Sequence, residues 1–144
     1  MDIVNNLLFW VHLMALALGG AAAFGIPVVG RRMQAASPEM RATLLSIMHG
    51  LSKAGRAGIG TLIVTGLLIV WLKYGGFGGV NVWFWIKMVL VLGLLAGVIH
   101  AGILLKRTMS GDTASAQQSP RVGMINTLLF LGIVLSAVFA FEVR

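Results

Sequence analysis

The stretch from residue 3 to residue 30, IVNNLLFWVHLMALALGGAAAFGIPVVG, contains no Asp, Glu, Lys or Arg. About 20 consecutive apolar residues are enough for a helix to cross a hydrocarbon core of about 30 Å, so this run reads as a membrane span. Asp2 precedes it where a cleaved leader would carry positive charge, which favours a retained helix over a signal peptide. Three further runs follow. Ala57 to Leu72 is uncharged between Arg56 and Lys73, and the largely apolar Leu44–Leu51 extends it backwards, so the second helix is expected to start near Ala42 with Lys53 and Arg56 snorkelling. Gly75 to Leu105 is broken only by Lys87 and opens on the turn Gly75-Gly76-Phe77-Gly78-Gly79. The last run is Val122 to Phe141. The expected spans are therefore about 4–30, 42–73, 80–105 and 122–142 of one domain covering 1–144.

Composition agrees with that reading. The 144 residues are 58% hydrophobic and 10% charged, with a mean hydropathy of +0.95, whereas a soluble domain carries about 25% charged residues. A soluble globule is excluded. There is no cysteine, hence no disulfide, thiolate metal site or thiol nucleophile, and His12, His49 and His100 are the only neutral nitrogen ligands.

Cytoplasmic loops collect Lys and Arg. Arg31, Arg32, Arg41, Lys53 and Arg56 lie between spans one and two, and Lys106, Arg107 and Arg121 between spans three and four, so eight of the eleven basic residues share a side. The opposite side holds Asp2, Lys73, Glu142 and Arg144. The expectation is an all-α integral membrane protein, an antiparallel four-transmembrane-helix bundle with both termini periplasmic, in a bacterial inner membrane. The net charge of +7 is then a consequence of topology and implies no nucleic-acid partner. Thr108–Pro120 reads as a flexible cytoplasmic loop, and Ser37-Pro38-Glu39 as the cap of a short interfacial helix leading into span two.

Small residues let membrane helices approach closely. Gly19, Gly20 and Ala21–Ala23 serve span one, Gly55, Gly58, Gly60 and Gly66 span two, and Gly93 with Gly97 form a GxxxG pair in span three. They can pack the bundle, support a homodimer, or leave room for a flat cofactor.

An ionisable residue at membrane depth costs at least about 2.5–3.5 kcal/mol on insertion scales and is a functional candidate by default. Lys87 lies about five to eight residues inside span three, and His12 a similar distance from the same face in span one, so the two can share one depth. Alternatively Lys87 snorkels past Trp83 and Trp85, which resemble interfacial anchors, and His12 is a packing residue. His49 and His100 sit toward the opposite side, where they could form an inner pair with Arg56 available for an anionic group. Thirteen residues separate Lys87 from His100, about 20 Å of helix rise, so they cannot serve one small site.

Phe9-Trp10-Val11-His12, followed by Gly19-Gly20, Phe24 and Pro27, resembles the first helix of the HemJ-type protoporphyrinogen oxidases and the related CopD-like membrane proteins. Thr65-Gly66-Leu67, a glycine turn, then Trp83-Phe84-Trp85-Ile86-Lys87 is similar to the next part of the same pattern, and Arg121 with Asn126 in span four is compatible with it. The resemblance covers most of the chain through short motifs. It implies a four-helix b-haem-binding protein in which His12 and Lys87 match the histidine and lysine that matter in HemJ-type proteins. The Gly-Gly and Thr-Gly-Leu segments lean toward the CopD-like branch, associated with copper handling.

Three functions compete. The first is a redox protein holding haem b through His12, with Lys87 as second ligand, propionate partner or catalytic group orienting an anionic porphyrin, and with a porphyrin substrate or a membrane electron acceptor as partner. His49 and His100 are the alternative metal ligands. The second is copper handling through imidazole and thioether, although no methionine pair has the spacing of a methionine track in any span. The third is an accessory subunit of a membrane complex without chemistry of its own.

Overall fold

In the computed structural model, which describes residues 2–142, the chain forms four long helices: α1 Asp2–Gln34, α2 Pro38–Tyr74, α3 Val82–Met109 and α4 Thr113–Glu142, with a single 3-10 turn at Phe77–Gly79. Each is long and apolar enough to cross a membrane. Arg144, one of the charges assigned above to the periplasmic side, lies outside the described residues.

Helix ends follow local chemistry. The Ser37 side chain caps α2 by accepting from the Met40 amide, and Pro38 takes the first helical position, where its missing N–H costs nothing. α2 then runs unbroken for 37 residues, about 55 Å. The separate interfacial helix expected before residue 42 is thus the first turn of the span itself. Gly75 ends α2 in the left-handed conformation, φ 68°, which only glycine adopts freely, and the Gly76 amide donates to the Val70 carbonyl at 3.1 Å. Asn81 then joins two helices. Its Oδ1 accepts from the Phe84 amide and caps α3, while its Nδ2 donates to Ala140 O at the end of α4, 3.1 Å away.

The expected flexible loop at Thr108–Pro120 is not formed. α3 continues to Met109, the link shrinks to Ser110–Asp112, and α4 starts at Thr113. Asp112 is the reason. Its Oδ1 accepts from the Ala114 amide at 3.0 Å and its Oδ2 from the Ser115 hydroxyl at 2.7 Å, supplying the acceptors that a helix start needs. Ala114, Ala116, Gln117 and Gln118 then continue a helix readily. Pro120 is tolerated inside α4 because the carbonyl it deprives, that of Ala116, belongs to an exposed residue.

Two antiparallel hairpins make the bundle. α1 packs along α2 and α3 along α4, the α1–α4 contact is shorter, and the α2–α3 seam is the least packed; α1 and α3 lie diagonally and do not pack on each other. Close approach at glycine sets the first hairpin. A Cβ on Gly58 would lie 2.9 Å from the Ala15 carbonyl oxygen and 3.1 Å from the Gly19 nitrogen, and one on Gly55 would lie 2.7 Å from Ala22 Cβ. In the second hairpin Asn126 of α4 occupies the place a side chain on Gly97 would take. The other expected packing glycines divide: Gly19 and Gly20 lie under Phe130, Gly66 against His12 and Gly93 loosely against Leu129, whereas Gly60 has nothing within 4 Å of a built Cβ and plays no part in packing.

The α1–α4 contact has its own device. Pro27 lacks the amide that would bond the carbonyl four residues earlier, which is that of Ala23. The Thr127 hydroxyl of α4 donates to Ala23 O at 2.7 Å and fills the gap. In hydrocarbon an unsatisfied carbonyl costs several kcal/mol, so this bond ties the hairpins together where α1 is weakest. Ile59, Leu94, Phe130 and Ile133 form the buried core at mid-bundle, with Phe24 edge-on to Phe130 at 6.2 Å.

Candidate functional site

His12 is held by α2. Its Nδ1 lies 2.7 Å from Thr65 Oγ1, and the same oxygen lies 2.6 Å from the Thr61 carbonyl oxygen. A hydroxyl has one proton. Thr65 donates it to Thr61 O, the only one of these partners that can do nothing but accept, so Thr65 Oγ1 accepts from His12 Nδ1–H. The neutral imidazole therefore carries its proton on Nδ1 and keeps a lone pair on Nε2. Gly66 packs on the ring, a Cβ there lying 3.5 Å from His12 Cε1.

Lys87 comes from α3 and is close enough to act electrostatically on the His12 imidazole. Both side chains are half-buried. The two residues expected to share a depth stand on diagonal helices that do not pack on each other, and both lie toward the glycine-turn end of the bundle. Around that end, Trp83 stacks on Phe139 at 5.2 Å, and Phe77 lies 6.2 Å from both Phe84 and Trp85, an aromatic girdle of the kind found where helices leave hydrocarbon.

The other candidates lie elsewhere. Arg56 is nine residues from Thr65 on α2, about 13 Å along the helix, and its guanidinium covers Gly102 of α3, where a Cβ would stand 3.3 Å from Nη1. It belongs to the basic half. His100 is exposed and two residues from Gly102; His49 is half-buried and seven residues, about 10 Å, from Arg56. His49 and His100 are therefore not level with each other. Among the described residues no three His, Cys, Asp or Glu side chains converge in a way that could hold a metal ion.

The bundle also encloses a cavity of about 70 Å³, partly open and lined by all four helices. It excludes both His12 and Lys87, and lies below the core toward the basic end. Small-molecule sites occupy about 300–1,000 Å³, so it cannot hold a porphyrin.

Charge and imidazole character in the sequence point to His12 and Lys87, whereas Thr65 enters only within the Thr65-Gly66-Leu67 segment and Thr127 not at all. The available signal was threonine or serine at membrane depth, because a hydroxyl that bonds its own helix backbone can also serve a neighbouring helix.

No protein-family model, curated protein or solved structure matches the chain.

Proposed function

We propose that the protein is a b-type haem-binding redox protein of a bacterial inner membrane, in which His12 would hold the iron and Lys87 would supply the cation for an anionic edge of the group. The observation that carries this reading is the orientation of His12: Nδ1 is committed to Thr65, and Nε2 is left with its lone pair. Ligating histidines characteristically donate their second nitrogen to an outer partner, which fixes the tautomer and ring orientation. A haem needs only one such imidazole from a helix bundle.

The donor set fits a haem in its chemistry: imidazole for the iron, and the Lys87 ammonium for a propionate or another anionic edge. When bound, the group would supply one-electron chemistry with a potential tuned by axial ligation and burial. Thr65 orients the ligand, Lys87 biases the site toward anions, and the apolar core excludes water from one side. Arg56 is left as an interfacial cation in this reading rather than a cofactor ligand. The loops rich in Lys and Arg face the cytoplasm and both termini the periplasm, following the distribution of basic residues.

The test is the visible spectrum of the purified protein with metal analysis on the same sample. Stoichiometric haem with a Soret band supports the proposal; stoichiometric copper without haem, or neither, overturns it.

A further inference from the structure

The cavity has a shape and a chemistry that the haem reading does not use. On α2 it is lined from Met48 to Ile59 and on α3 from Leu94 to Leu105, each an eleven-residue step, so it extends about 16 Å along the bundle axis. One end lies toward Ser119 and the basic end; the other stops at Ile59, Leu94 and Phe130 of the core. Beyond that core, Leu94 to Lys87 is seven residues and Ile59 to Thr65 six, about 10 Å further.

Three polar side chains line this otherwise apolar space: Ser52, Ser119 and Asn126. Asn126 is only 8% exposed, and its Oδ1 has no hydrogen-bond partner. That oxygen sits on Gly97, which can approach it only because it lacks a side chain. No other side-chain nitrogen or oxygen among the described residues is fully buried without a partner, so the Asn126 amide nitrogen, which makes no hydrogen bond either, keeps accessible surface. Asn126 is one of the residues that line the cavity. A water needs about 10–15 Å³ of such volume and two to four polar partners. A cavity of about 70 Å³ offers room for several waters, with an amide and two hydroxyls to bind them.

We propose that this cavity is a water-filled vestibule, entered from the basic end and anchored at Asn126, which carries water into the bundle as far as the Ile59–Leu94–Phe130–Ile133 plug. It makes the bundle asymmetric: one half is hydrated internally, and the His12–Lys87 half lies behind an apolar barrier. The inference does not depend on haem binding.

The natural absence of cysteine makes the test direct. Val98 lines the cavity, while its neighbour Ile99 is 53% exposed on the outer surface at the same depth. Val98→Cys, Ser52→Cys and Ile99→Cys are made singly in the full chain, reconstituted in lipid vesicles and treated with a small water-soluble methanethiosulfonate. Thiols in apolar surroundings are poorly ionised and slow to react, so Val98→Cys and Ser52→Cys are expected to label at least about tenfold faster than Ile99→Cys. Asn126→Leu in the Val98→Cys background should cut the labelling rate severalfold while the variant keeps its helical content and detergent-extracted mass. Equal, slow labelling of Val98→Cys and Ile99→Cys means a dry cavity and overturns the proposal. So does fast labelling of Ile99→Cys, which would make the outer face, not the cavity, the route of water.

Discussion

Thr65 decides which nitrogen of His12 is available, because its only proton goes to Thr61 O. Thr65→Val keeps the shape but removes the acceptor for Nδ1–H, whereas Thr65→Ser keeps it. Loss of an outer partner of this kind typically weakens metal binding about 10–100-fold, so haem titration followed by absorbance should show that loss in Thr65→Val and near-normal binding in Thr65→Ser. Asp112 governs a second local choice, at the far end of the chain's third connection. The Ser115 hydroxyl, then the Ser115 and Ala114 amides and the Arg107 charge, hold its carboxyl below the usual carboxylate range. A carboxylate whose folded pKa is depressed contributes stability above its unfolded pKa of about 3.9 and loses that contribution as pH falls through the folded value. The first turn of α4 should therefore exchange its amide protons faster once the pH falls below about 4, and Asp112→Asn, a cap that does not titrate, should abolish that pH dependence. His12 and Lys87 were legible in the sequence, since an imidazole and an ammonium at membrane depth are rare. Thr65 was not, because a threonine in a helix gives no sign of which neighbour it faces.

At the scale of the helices, α1 is held by backbone approach to α2, by the His12–Thr65 bond, and by the hydrogen bond that Thr127 supplies to Ala23 O. Gly58→Ala forces a Cβ to within 2.9 Å of the Ala15 carbonyl, while Gly60→Ala meets nothing within 4 Å. Unfolding in detergent followed by circular dichroism should show Gly58→Ala destabilised by about 1–3 kcal/mol and Gly60→Ala neutral or slightly stabilised, as expected for overpacking against plain helix propensity. Thr127→Val leaves the Ala23 carbonyl unsatisfied and should cost about 1–3 kcal/mol. Pro27→Ala returns the missing amide, so Thr127→Val should cost clearly less in that background; strictly additive effects would contradict the compensation described here. The four spans could be read because long uncharged runs have one explanation in a chain this apolar. The start of α4 could not, because Ser, Gln, Ala and Thr suit a loop as well as a helix until Asp112 is seen to cap them. Nor could the facing of Gly58 and Gly60. In lipid both the packed and the exposed sides of a helix are apolar, so Leu94 in the core and Ile99 on the surface carry no distinguishing pattern.

For the whole molecule, the packing leaves two features on the same axis: the His12–Lys87 pair toward the glycine-turn end and the cavity toward the basic end, with the core between them. Reporter fusions after Arg144 and within Ser110–Asp112 should report periplasmic and cytoplasmic locations respectively; the reverse would exchange the two ends relative to the membrane. Whether one imidazole, oriented by Thr65, holds a haem is read from the Soret spectrum and haem content of His12→Ala beside the native protein, with His49→Ala and His100→Ala as controls. Haem is expected to be lost or greatly reduced in His12→Ala alone. Full haem content and an unchanged Soret band in His12→Ala would rule out His12 as the ligand.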